Sequence, residues 1–185
     1  VRDTAYMYDH LFSATVGDPY SVSYEKGSLI KSLEGKQKFK IGVNQLSRTG
    51  LEISEEAKNA IQFNVKLCED LGHDVEEMEF THDGLLAVRC FVIIICSHVN
   101  QMFNELKDVV GRSFKKSEVE TATRLFSYLG KSFRASDYTW ARYNLQKIAR
   151  QIMEDTNKYD IVLTPIISQP PPNIGELRPN KQGTI

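Results

Sequence analysis

The chain has 185 residues, enough for one domain with a real core, and its 41% apolar and 25% charged residues are ordinary for a soluble globular protein. Its formal net charge of −1 supplies no basic field for nucleic acid or anionic lipid. Five lysines between Lys26 and Lys40 read as a solvated loop, since no aromatic residues interleave at a base-stacking spacing.

In chain order, Val1, Thr4, Ala5, Tyr8, Leu11 and Phe12 recur at helical spacing, and Gly17-Asp18-Pro19 stops the helix. A polar linker carrying Lys and Gly follows to about Lys38. Residues 39–43 read as a short strand. Ser54 is placed to cap a helix, with Glu55 and Glu56 in its first turn, where carboxylates favour the positive end of the dipole. Its apolar stripe is Ala57, Ile61, Val65, Cys68 and Leu71, and Gly72 suits the left-handed residue after the helix. Val75, Met78 and Phe80 mark a second strand. Strand–helix–strand over 39–80 predicts two parallel neighbours joined by a right-handed crossover.

Residues 85–106 read as a largely buried helix, with a strand over Val88–Ile95 as the alternative. Ser117-Glu118-Val119-Glu120 matches a capping box, followed by a helix to Leu129 and a stop at Gly130. Ser136 would cap a long helix whose stripe is Tyr138, Ala141, Leu145, Ile148 and Ile152. Residues 160–164 form a last strand, ended by Pro165, and Pro170-Pro171-Pro172 imposes extended backbone. The fold class is therefore α/β, a single segment over residues 1–185 of short parallel or mixed strands packed with several helices.

Little in this pattern carries chemistry. There is no GxGxxG, GK[ST], HExxH or GxSxG. His10, His73, His82 and His98 form no i, i+4 pair, so neither a metal site nor a cofactor is expected. Cys96 and His98 are two apart and would point to different faces of a helix, which disfavours a thiol–base pair. Cys68, Cys90 and Cys96 are odd in number and lack zinc-like spacing, which suits buried thiols in a reducing, cytoplasmic compartment. The chain opens VRDTAYMYDH with no initiator Met or signal peptide. The apolar run Leu85–Cys96 is too short to span a bilayer and contains Arg89, so no membrane is expected.

Three stretches say more than their composition. Val1-Arg2-Asp3-Thr4-Ala5 with Gly17-Asp18-Pro19-Tyr20 resembles the VRDxA helix and GDP turn of amidase-signature enzymes. Lys40-Ile41-Gly42-Val43, continuing to Leu71-Gly72-His73-Asp74-Val75-Glu76, resembles that family's strand–helix–strand. Ser136-Asp137-Tyr138, then Tyr159-Asp160-Ile161-Val162-Leu163-Thr164-Pro165, then Gln169-Pro170-Pro171-Pro172 with Gly175, is similar to its C-terminal motif. The matches are collinear and cover nearly the whole chain. The run from Ser117 to Tyr138 is also similar to the subgroup that contains 6-aminohexanoate-cyclic-dimer hydrolase.

The resemblance implies an amide hydrolase acting on a small-molecule amide through a Lys–Ser–Ser triad and an oxyanion hole of backbone amides. No residue of this chain matches the family lysine or either serine, so no catalytic residue is carried over. Those groups are expected in sequence that precedes Val1, and further elements after Ile185. The family pocket lies between the signature core and the segment represented here. This makes Phe91, Cys96, Asn100, Trp140, Thr164 and Gln169 the candidate lining residues. A non-catalytic α/β binding module is the alternative. Without the signature core, the run Leu85–Cys96 is expected to leave apolar surface without a partner, so that the isolated chain self-associates, is partly disordered there or is marginally stable.

Overall fold

The computed structural model describes residues 1–12, 16–20, 25, 27–35 and 37–176. These group into two compact units, 1–38 and 39–185. Expectations for the linker that rest on residues 21–24, 26 and 36, and those for residues 177–185, lie outside the described residues.

In the first unit, α1 (Arg2–Leu11) meets the short helix α2 (Ser28–Ser32). The linker expected here thus contains a helical turn. The reason is Asp9, which is buried on α1 and accepts the Leu29 and Ile30 amides at 3.3 and 3.1 Å. The first amides of a helix have no partner within it, and this carboxylate supplies one from another element. Tyr8, Leu11 and Phe12, expected on an apolar stripe, are exposed.

In the second unit, β1 (Lys40–Val43), β2 (Asp74–Glu77) and β3 (Ile161–Leu163) form one parallel sheet in the order β2-β1-β3. Ile41 is in register with Val75 on one side and Ile161 on the other. The expected parallel pairing of the first two strands is observed. Between them runs α3 (Glu55–Asp70), with the Ser54 hydroxyl accepting the Ala57 amide at 3.2 Å. Gly72 closes the helix with φ +87°, a conformation that costs a glycine little. Ile61 buries its side chain with Ile41 and Val43, against Val65, Cys68, Val75 and Leu163. Burying a side chain of this size is worth roughly 1.5–3 kcal/mol.

Between β2 and β3 come α4 (Gly84–Val110), a 3₁₀ turn (Lys116–Glu118), α5 (Thr121–Gly130) and α6 (Ala135–Thr156). A second core joins Cys90 and Ile93 of α4 to Ala141 of α6, with Phe133 and Leu145 against them.

Three helix expectations need correction. The Ser117 box does not start α5. Glu118 is taken by Arg112 at 2.8 and 2.9 Å and folds back onto the Lys115 amide at 2.8 Å, which closes the chain into a 3₁₀ turn. Val119 is then extended, and α5 starts at Thr121. Likewise Ser136 lies inside α6. The carboxylate of Asp137 accepts the Arg134 amide at 2.8 Å and sets the start two residues earlier.

Most consequential is α4. It is a helix, not a strand, but it is not largely buried: Gly84, Cys90, Ile93 and Cys96 are its buried residues. Leu85, Val88, Val92, Ile95, Val99, Met102, Leu106 and Val109 recur at alternating steps of three and four along it. Six of these eight are exposed, Leu85 at 67% and Val109 at 84%. Such a seam is the pattern of a helix that packs along a partner. At 27 residues α4 is also long and apolar enough to cross a membrane by length and composition, which the run Leu85–Cys96 alone is not. It packs against α5 and α6, yet only 17% of its apolar stretch is buried.

Candidate functional site

Two regions collect the candidate residues. The first is the exit of β3. The Ser54 amide donates to the Ser168 carbonyl at 2.8 Å, and the Gln169 side-chain amide donates to the Glu52 carbonyl at 3.0 Å. These bonds pin the turn 164–169 over the start of α3 and leave a cavity of about 480 Å³ between them. Thr164 and Gln169 both line it, with Ala57, Ala60, Ile61 and Pro165 giving it an apolar wall. Sites of this kind, apolar with a few placed polar groups, hold small molecules.

The second is the crossing of α4 and α5. Gly130 sits so close to the Cys96 carbonyl and the Asn100 side chain that a Cβ there would collide with both. This approach brings the Ser127 hydroxyl to 3.5 Å from the Asn100 side-chain oxygen. Asn100 lies between two cavities, one of about 270 Å³ toward α5 and one of about 450 Å³ toward α6. In the latter, the Tyr138 hydroxyl and His98 Nε2 are hydrogen-bonded at 3.2 Å. His98 therefore turns to a phenol rather than to a thiol.

The remaining candidates are scattered. Cys96 has no exposed surface, and burial pushes its thiol pKa up, as it does for Cys90. Raised pKa values keep both thiols protonated and poorly nucleophilic at neutral pH. Trp140 is 39% exposed on α6, with the Arg89 guanidinium 4.9 Å from its ring centroid. Phe91 is exposed on α4. The structure thus joins Thr164 with Gln169, sets Asn100 at the helix crossing, and leaves Phe91 and Trp140 apart from these three cavities.

Nucleophilic catalysis by serine needs a base within hydrogen-bond reach. Ser97 and Ser132 donate instead to backbone carbonyls of their own turns, and Ser54 and Ser127 are engaged as described. Among the described residues, no serine hydroxyl is hydrogen-bonded to a Lys or His, and no cluster of His, Cys, Asp and Glu could hold a metal. Neither Asp9 nor Asn100 carries a sequence signal for its contacts, because both depend on how separate elements meet.

The profile of the amidase family matches residues 1–185. This chain belongs to the amidase family. It is 26% identical over 179 residues to a Synechocystis sp. protein whose name places it among the amidases, covering 95% of this chain and 32% of that protein. The fold superposes on 6-aminohexanoate cyclic dimer hydrolase in its substrate complex with a TM-score of 0.84 at 17% identity. That match covers 96% of this chain and 38% of the hydrolase. It also superposes on a bacterial aryl acylamidase of the amidase-signature family with a TM-score of 0.75 at 16% identity, over 91% and 35% of the two chains. At these identities the likeness to the solved structures is one of fold. This amidase-family chain spans about a third of the length of the relatives it matches.

Proposed function

We propose that this chain is one segment of an amide hydrolase and that the bond-breaking groups lie outside it. The family match along all 185 residues carries the first half of this reading. The second half is supported by the engagement of Ser54, Ser97, Ser127 and Ser132 in caps, turns and helix contacts. In the proposed reaction a serine oxygen attacks the amide carbonyl and its proton passes through a second serine toward a lysine. The C–N bond then breaks, the amine leaves with a proton, and water releases the acyl group as a carboxylic acid. No step uses a residue of this chain as nucleophile or base.

The role we assign to the segment is to wall the substrate pocket. Thr164 and Gln169, on the pinned turn after β3, and Asn100, at the α4–α5 crossing, are the wall residues the geometry supports best. The exposed α4 seam would seat against the rest of the amidase domain, which makes it an interface within that domain rather than a membrane span. The three free thiols fit a reducing, cytoplasmic setting.

The test is direct. The purified chain is incubated with 4-nitroacetanilide and, separately, with a fluorophosphonate serine probe. No turnover above background and no labelled peptide are expected. Turnover that disappears on replacing a serine within residues 1–185 would overturn the assignment.

A further inference from the structure

The strand order reverses at β1. From β1 the chain passes through α3 to β2 on one side, and it returns as β3 on the other. The Asn44 amide donates to the Leu163 carbonyl at 3.0 Å and ties the carboxyl ends of β1 and β3 together. In parallel α/β sheets, ligands settle in the crevice outside the carboxyl ends of the strands, at the point where the order reverses. The cavity of about 480 Å³ under the turn 164–169 lies there. Its walls are the end of β3 at Leu163 and the first turns of α3, the helix that leaves β1.

The chemistry of this cavity is one-sided. Ala57, Ala60, Ile61, Leu163 and Pro165 give it an apolar wall, and among the described residues its lining holds no Lys, Arg or His. Its charged lining residue is Glu56. An anion entering would exchange water for an apolar wall and a neighbouring carboxylate, with no cation in return. The polar anchor is Gln169. Its side-chain nitrogen donates to the Glu52 carbonyl at 3.0 Å, which fixes the carboxamide and leaves its oxygen to accept a hydrogen bond. Ser54 and Asn64 are engaged by their own helix: the Ser54 hydroxyl accepts the Ala57 amide, and the Asn64 side chain donates to the Ala60 carbonyl at 2.7 Å. A fixed acceptor, an apolar wall and a lining without cations match a neutral molecule with an N–H and an apolar body.

We propose that this cavity selects uncharged secondary amides with an apolar body and excludes carboxylates. The ligand N–H donates to the Gln169 side-chain oxygen, and the apolar body lies against Ala57, Ala60 and Pro165. This inference rests on the reading of the cavity as a wall of the substrate pocket, and names the substrate class that such a wall admits.

The experiment is a titration of the isotope-labelled chain with N-methylbenzamide, followed through backbone amide resonances. Saturable shifts clustered within 53–64 and 163–169 are expected. Benzoate, the same ring with a charge, should leave those resonances unmoved. N,N-dimethylbenzamide has no N–H and should bind about fivefold more weakly or worse, the loss expected for one hydrogen bond. Ala60 is exposed on α3, so Ala60→Trp fills the cavity without entering the core. It should abolish the shifts while the unfolding midpoint stays where it was. Absent shifts, shifts centred elsewhere, equal binding of benzoate or of the dimethyl amide, or undiminished binding in Ala60→Trp would overturn the proposal. The readout is binding, not turnover. A failed titration leaves the bond-breaking groups assigned outside this chain, whereas serine-dependent turnover of 4-nitroacetanilide overturns that assignment whatever binds here.

Discussion

Lys40 and Asp160 hold each other from both sides: the Lys40 amide donates to the Asp160 carboxylate at 2.8 Å, and the Asp160 amide donates to the Lys40 carbonyl at 2.9 Å. The two residues are 120 positions apart and stand at the entrances of β1 and β3. The clamp fixes the register that sets Ile161 beside Ile41 and delivers the turn 164–169 to α3. A hydrogen bond to a charged acceptor is worth about 1.5–3 kcal/mol, less at an exposed site. Asp160→Ala should therefore lower stability by about 1–2 kcal/mol in urea unfolding. Asp160→Asn, which keeps an acceptor, should lose less. An unchanged midpoint for the alanine variant would show that the clamp follows the register rather than setting it.

Glu118 gives a pH dependence with a definite sign. The Arg112 guanidinium, and after it the Lys115 amide, hold its carboxyl at about 2, against an ordinary value of 4.5. A carboxyl whose pKa falls on folding stabilises the folded state above its unfolded value. That contribution fades as pH drops from about 4.5 through about 2. The pair is exposed, so the effect should be small and screened by salt. Glu118→Gln should flatten the stability profile across that window and nowhere else. A Gln variant with the same acid-side slope as the parent would refute the assignment.

Gly130 marks a close approach of α5 to α4, where even a methyl group would meet the Cys96 carbonyl. Backbone cannot rotate away as a side-chain tip can. Gly130→Ala should cost about 1–3 kcal/mol, the range for overpacking. It should also shift the amide resonances around Asn100 and Ser127. Gly111, whose φ is +72° with open space around it, serves as a control. There alanine meets backbone strain alone, and the α4–α5 resonances should not move.

The seam along α4 predicts association. With six of eight apolar seam positions exposed, the isolated chain should form dimers or larger species in light scattering. Val92→Glu/Met102→Glu places two charges on the seam and touches neither buried core. It should return the chain to a monomer while leaving the melting transition nearly unchanged. A parent chain that is already monodisperse, with slow hydrogen exchange throughout 85–106, would count against the seam as an interface.

Asp9 provides a local test. Removing its carboxylate leaves the Leu29 and Ile30 amides without their acceptor, a loss of about 1–2 kcal/mol for a helix cap. Asp9→Ala should speed amide exchange at 28–32 by tenfold or more, with no change in β1, β2 or β3.

The sequence by itself determined the local elements of the sheet unit. Ser54 and Gly72 bracket α3 because a hydroxyl that caps and a glycine that turns left-handed are local properties of those residues. The parallel pairing of β1 with β2 follows from a helix of that length between two short apolar runs. Family membership, too, was legible in collinear motifs such as Tyr159–Pro165. Tertiary structure alone decided the rest. Glu118 was available to a cap at Ser117, but Arg112 reached it first, and no window of sequence ranks those two partners. Thr164 and Gln169 face one cavity because the Ser54 amide, donating to the Ser168 carbonyl, and the Gln169 side chain, donating to the Glu52 carbonyl, fold the turn over α3. The apolar content of α4 implied burial, yet burial needs a partner surface, and composition records the demand for one without recording where it is met.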